Sequence, residues 1–307
     1  MEERLQDHPL RPYSKLIINC ALTGMVPTKG DTPHVPTEPG EIIRDAESCI
    51  RAGASMLHVH ARDEEGKPTY RKDIYREIIG GIRELDDEVI ICASTSGRLF
   101  RDPCLRGEVL DLGGSAKPDM ASLTLGSFNF PRAIVALGKS QEKDRGGESY
   151  SISPNPPETI VALAEHMKDR GIRPELEVFE AGMINYGLYL IKKGTIPDDH
   201  PYFNLILGSL GAARASMSSL SHMVENLPSG AVWSAAGTGR FQLPINVASV
   251  VMGGGVRIGV EDCIYYDYDK KILATNEMLV DRIVRIAGEV GREVATPGET
   301  RKLLGLG

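Results

Sequence analysis

His58-Val59-His60 is the tightest grouping of chemically capable side chains in the sequence. In an extended strand, residues i and i+2 share a face, so the two imidazoles point the same way. Such a pair suits a divalent metal ion, and it equally suits a hydrogen-bonded polar strand end. Glu261-Asp262 is a second adjacent pair, and it closes the run Arg257-Ile258-Gly259-Val260. Neighbouring acids can serve simply as the negative start of a helix. Arg257 interrupts an apolar run, and a buried guanidinium needs an anionic partner. Asp262 is the candidate, either as a structural ion pair or as a base whose carboxylate Arg257 orients.

These residues need elements to bring them together. β-branched and apolar runs predict strands at Lys15–Gly24, Ser55–His60, Glu88–Ser94, Asp119–Thr124, Pro174–Phe179, Phe203–Gly208, Ala231–Ala236 and Val256–Val260. Helical spacing predicts helices at Glu41–Ala52, Lys72–Leu85, Pro157–Arg170, Met183–Lys193, Ser216–Leu227, Gln242–Met252 and Ala274–Val290. Roughly eight strand–helix units imply parallel strands with right-handed crossovers. The first strand carries no GxGxxG fingerprint, so the expected fold is a (β/α)8 TIM barrel forming one domain over residues 1–307. Two extended loops follow strands 1 (Met25–Gly40) and 4 (Gly126–Pro156), at the mouth where barrels place their chemistry. In a closed barrel, strands 8, 1 and 2 are neighbours. His58, His60 and Glu261 would then offer two imidazoles and a carboxylate with open positions left over, the pattern of a catalytic metal. Spacing alone admits zinc, iron, cobalt or manganese.

The other strand ends are polar but weaker as signals. They are Ser94-Thr95-Ser96-Gly97, Ser122 and Thr124, Glu175, Glu177 and Glu180, and Gly237-Thr238-Gly239-Arg240, whose glycines could cradle a phosphate. His34 sits in a Pro-rich loop that could approach the metal. His166 and His200 read as solvent histidines, and Cys92 and Cys263 as packed thiols.

Charged residues at 25% and hydrophobic ones at 41% match ordinary globular usage and exclude disordered, collagen-like and disulfide-scaffold classes. A net charge of −7 argues against a nucleic-acid or anionic-membrane surface. No apolar run approaches the ~20 residues that cross a bilayer, and the first residues lack a secretory h-region. Five cysteines without a CxxC pair suit reduced thiols, so a cytoplasmic protein is expected.

Longer motifs resemble the β-keto acid cleavage enzyme family. They include ALTG (Ala21–Gly24), the PHVP loop, AGASMLHVHARDEEGKP, KPDMASLTLGSFNF, PELEVFEAGM, GTGR, GGGVRIGVED and NEMLVDRIVRIAGEVGREVATP, in the same order over nearly the whole chain. The resemblance implies a zinc-containing (β/α)8 barrel, usually a homotetramer, that converts a β-keto acid and acetyl-CoA into acetoacetate and a new acyl-CoA. It implies Zn2+ ligands at His58, His60 and Glu261, a catalytic pair at Arg257 and Asp262, a CoA-transfer residue at Ser94, and substrate contacts at Ser122, Thr124 and Glu177. Val26 departs from the acidic residue by which the family's aminohexanoate enzyme holds a substrate ammonium, and Asp31 is the closest acid. A less cationic β-keto acid is therefore expected. A metal-dependent hydrolase on the same barrel is the alternative, weakened because strands 5 and 6 offer no histidine. A non-enzymatic binding protein would leave the matched Arg–Asp pair without a purpose.

Overall fold

A computed structural model describes residues 13–98, 102–129 and 152–306. Eight parallel strands close into a barrel: β1 (Ile18–Ala21), β2 (Met56–Val59), β3 (Ile90–Ala93), β4 (Met120–Thr124), β5 (Arg173–Val178), β6 (Tyr202–Leu207), β7 (Val232–Gly237) and β8 (Gly255–Ile258). They follow chain order around the ring, and β8 pairs with β1. Strands β1, β2, β3, β4, β6 and β8 are buried along their whole length, because helices cover one face and the barrel interior the other. Each of the eight strands overlaps its expected apolar run: β1 to β4 are trimmed, and β5 to β8 are shifted by about one residue or extended at one end.

The helices that cover the barrel are α1 (Pro39–Ala52), α2 (Lys72–Leu85), α4 (Pro157–Asp169), α5 (Ala181–Lys192), α6 (Met217–Glu225), α7 (Gln242–Met252) and α8 (Asn276–Glu289). α1 shows why the sequence folds this way. Pro39 opens the helix, and the Glu41 carboxylate accepts the Glu38 and Thr37 backbone N–H groups. Ile42, Ala46 and Cys49 form its buried stripe, and Gly53 at φ 115° ends it.

The third crossover departs from the strand–helix pattern. It holds only the short α3 (Pro103–Arg106) and 3-10 turns at Glu108–Asp111 and Gly114–Ala116. Pro103, Gly113-Gly114 and Pro118 break up any longer helix there. The first extended loop runs from Leu22 to Glu38, between β1 and α1. In the second, Phe128–Asn129 pairs with Ile152–Ser153, while the DRGGES stretch lies outside the described residues.

A further helix, α9 (Pro297–Leu303), crosses the bottom of the barrel. Leu304, just beyond it, packs with Ile17, Met56, Ile90, Cys92, Met120 and Tyr202 as a largely apolar floor, and Thr300 Oγ1 donates to Ser55 Oγ at 2.8 Å. Stability is therefore expected to depend on a side chain far from the mouth. Leu304→Ala should lower the free energy of unfolding by about 2–5 kcal/mol in a urea titration. An unchanged midpoint would show that α9 does not close the floor.

Candidate active site

Above the floor, the barrel interior turns polar. Asn19 (β1), His58 (β2), Cys92 (β3), Glu175 and Glu177 (β5), Asn204 (β6) and Arg257 (β8) are all buried. The alternation of β5 puts Glu175 and Glu177 on one face, pointing inward. Glu175 accepts from Asn19 Nδ2 at 2.7 Å and Asn204 Nδ2 at 3.0 Å on one oxygen. Its other oxygen takes His58 Nδ1 at 2.8 Å and Cys92 Sγ at 3.2 Å. Burial alone would raise this carboxyl, but the charge and hydrogen bond of His58, with Arg257 beyond, outweigh it and hold it down to about 2.

That bond fixes the His58 ring and turns Nε2 toward the mouth. His58 Nε2 lies 3.3 Å from His60 Nε2, which lies 3.3 Å from Glu261 Oε1. Two ligands of a tetrahedral ion, each about 2.0–2.1 Å from it, stand roughly 3.3–3.4 Å apart. Glu261 Oε2 is buried and has no hydrogen-bond partner. Burial lowers the His60 imidazole to about 4, which keeps its ring neutral and able to donate a lone pair. Spacing, an orphaned oxygen and donor chemistry all fit a divalent ion held by His58, His60 and Glu261. A second cluster, His58, Cys92 and Glu175, also has metal-compatible spacing. There Glu175 is already saturated and burial pushes the Cys92 thiol up, so this cluster supports the first.

Arg257 ties the acids together. Its Nε donates to Asp262 at 2.9 Å, Nη1 to Glu177 at 3.2 Å and Nη2 to Glu261 at 2.7 Å. The expected Arg257–Asp262 pair is present, and the two further carboxylates are additions to it. Burial raises the Asp262 carboxyl above the aspartate range, with Arg257 opposing the rise. Burial likewise raises Glu177, which accepts from Thr124 Oγ1 at 2.7 Å. Ser122 Oγ accepts the Thr95 N–H at 3.1 Å, and Ser94 Oγ accepts the Ser96 N–H at 3.3 Å.

Two glycines make room for this packing. A Cβ on Gly24, whose φ is 67°, would lie 2.5 Å from Glu261 Cγ. One on Gly259 would lie 2.0 Å from Ala21 O, so β8 can leave the barrel tightly against β1.

Other expectations fare differently. His34 is exposed and outside both metal-compatible clusters, because its loop folds away from the ligands. Asp31 is engaged by Thr28 N at 3.0 Å and Thr28 Oγ1 at 2.7 Å, closing its own turn. His166 is not a free solvent histidine; its Nε2 meets Asp111 Oδ1 at 3.0 Å. Glu180 is exposed, as the residue before α5. The fourfold engagement of Glu175 goes beyond what its strand-end position suggests, although a glutamate inside an apolar alternating strand is the available signal. Asn276, in the first turn of α8, escapes sequence reasoning altogether. It accepts Val260 N at 2.8 Å and donates to Leu22 O at 3.0 Å, bracing the exits of β8 and β1.

The sequence profile described as beta-keto acid cleavage enzyme matches residues 15–306. The chain belongs to the β-keto acid cleavage enzyme family. It is 40% identical to a 3-keto-5-aminohexanoate cleavage enzyme of Fusobacterium nucleatum, over 95% of this chain and 98% of that protein. It is 33% identical to a 3-oxoadipate:acetyl-CoA acetyltransferase of Cupriavidus necator, over 94% of each. Among solved structures, apo ObcA superposes with a TM-score of 0.74 at 19% identity, covering 90% of this chain and 66% of that longer one, a likeness of fold. As a β-keto acid cleavage enzyme, the chain breaks carbon–carbon bonds, and its polar mouth is where such chemistry belongs.

In this β-keto acid cleavage enzyme, Glu175→Gln replaces an acceptor of four hydrogen bonds with an amide. Divalent-metal affinity should fall about 10- to 100-fold in a chelator-competition titration. An unaltered affinity would mean that His58 is oriented without Glu175.

Proposed function

We propose that the chain is a zinc-dependent enzyme that converts a β-keto acid and acetyl-CoA into acetoacetate and a new acyl-CoA. The observation that carries this reading is the convergence of His58, His60 and Glu261 beside an Arg257-held Asp262. The acetyl-CoA named for the Cupriavidus necator relative supports the co-substrate. Zinc held by His58, His60 and Glu261 would supply a Lewis acid for the keto oxygen and so acidify the adjoining methylene.

Asp262 then removes the proton from the carbon between ketone and carboxylate. Arg257, bonded to Asp262 Oδ2, fixes the direction of that carboxylate. Burial raises the basicity of Asp262, which suits it to the task. The carbanion attacks the acetyl carbonyl, and a new carbon–carbon bond forms. CoA sulfur leaves the acetyl carbon and adds to the original ketone carbon, a transfer assigned to Ser94 at the exit of β3. The original carbon–carbon bond then breaks, releasing the acyl-CoA, and Asp262 returns its proton to acetoacetate. Glu177, with Ser122 and Thr124, lines the side where the β-keto acid is to be held.

Val26 leaves no acid at the position that would face a substrate ammonium, and Asp31 is occupied within its turn. The substrate is accordingly a less cationic or more apolar β-keto acid. The homotetramer implied by the family resemblance is proposed with the reaction. Among the described residues, no helix is long and apolar enough to cross a membrane, in keeping with a cytoplasmic enzyme.

A panel of β-keto acids with acetyl-CoA should yield chelator-sensitive acetoacetate and the matching acyl-CoA, with uncharged substrates ahead of 3-keto-5-aminohexanoate. Preference for the amino substrate would remove the Val26 argument, and no acetoacetate from any member would reject the reaction. Asp262→Asn should keep bound zinc while kcat falls about 10²- to 10⁴-fold, whereas His60→Ala should lose both. Full turnover in either variant would overturn the assignment of roles.

A further inference from the structure

The reaction proposed above needs a place for the phosphates of CoA, and the interior cannot supply one. Each of the three Arg257 nitrogens already donates to a carboxylate, and the barrel centre around it is anionic. A phosphate site must lie outside this cluster, on the rim, at the distance from Asp262 that the pantetheine arm spans.

The loops leaving β6 and β7 meet that requirement. Gly239 N donates to Asp262 O at 2.8 Å, so the Gly237-Thr238-Gly239-Arg240 turn is bonded to the backbone of the proposed base. Thr238 N and Oγ1 both donate to Leu207 O, at 2.9 and 3.1 Å, joining this turn to the end of β6. A Cβ on Gly208 would meet Phe241 Cδ2 at 2.9 Å and Ala215 Cβ at 3.2 Å. Residues 215 and 241 therefore pack about one point, which brings together the two loops that carry Arg214 and Arg240. Both are exposed, and among the described residues neither guanidinium has a carboxylate within ion-pair distance. In a chain of net charge −7, two exposed arginines with no ion pair among the described residues favour an anionic ligand at this rim, although Ala213 N donates to Phe179 O at 2.8 Å and so roots Glu180 near Arg214. Phe241 beside them is 38% exposed and offers a ring face.

We propose that Arg214 and Arg240 anchor the phosphate groups of the acyl-CoA, with the adenine lying against Phe241 and the thioester arm reaching over Gly239 to Asp262. Planar guanidinium forks match phosphate oxygens, and this pairing supplies affinity without entering the chemistry. The inference rests on the acetyl-CoA reaction, so its test separates the two.

Initial rates are measured with acetyl-CoA and with acetyl-pantetheine, which carries the same thioester without the phosphates. Arg214→Gln and Arg240→Gln should each reduce the preference for acetyl-CoA by about tenfold through KM. The wild-type KM for acetyl-CoA should rise with added salt, while that for acetyl-pantetheine stays level. An unchanged preference, an equal loss on both thioesters, or a salt-independent acetyl-CoA KM overturns the anchor. If the wild type turns over neither thioester, the reaction itself is rejected. The anchor is then read from calorimetric binding of CoA, which Arg240→Gln must weaken about tenfold for the proposal to stand.

Discussion

The mouth of this barrel is organised around one buried positive charge. Arg257 enters from β8 and divides its guanidinium among Glu177, Glu261 and Asp262, which come from two different strand exits. None of the four side chains could be buried alone, because an uncompensated charge in this interior costs several kcal/mol. Together they fix one another's directions. Three carboxylates to one guanidinium still leave an anionic excess, and a divalent ion against Glu261 would neutralise it. The constraint explains why the interior is polar at this level and apolar only at its floor.

Glu175 has the complementary role, a layer further down the barrel. It gathers Asn19, His58, Cys92 and Asn204 from four strands, so His58 is aimed by the closed barrel as a whole. Asn276 and the two tight glycines act in a similar way at the rim, bringing the ends of β1 and β8 close enough for Glu261 to stand next to His60. The aim of the donor atoms depends on distant backbone more than on local sequence. Small changes in strand exit should therefore disturb the spacing of His58, His60 and Glu261 before they disturb the fold.

Much of this is legible in the chain itself. His58 and His60 share a face by strand geometry alone, and Arg257 announces its need for an acid by interrupting an apolar run. β/α alternation is enough to make strands 8, 1 and 2 neighbours. The polar network is harder to read. Arg257 meets Glu177 across 80 positions and Asn276 meets Leu22 across 254, and those meetings exist only once the barrel has closed. A Pro-rich loop gives no hint of which way His34 faces, and only the folded loop turns it outward. The third crossover breaks the pattern because prolines and paired glycines override the average expectation of a helix.

The largely apolar floor beneath the network has a bearing on traffic. Leu304, Ile17, Met56, Ile90 and Met120 close the lower end with apolar side chains, and Cys92 is the point at which this layer meets Glu175. Among the described residues, the facing donor atoms of His58, His60 and Glu261 lie toward the opposite, upper rim. Under the proposed reaction, a substrate bound at that rim would also be the stopper of its own reaction vessel, holding the carbanion away from bulk solvent until the product departs.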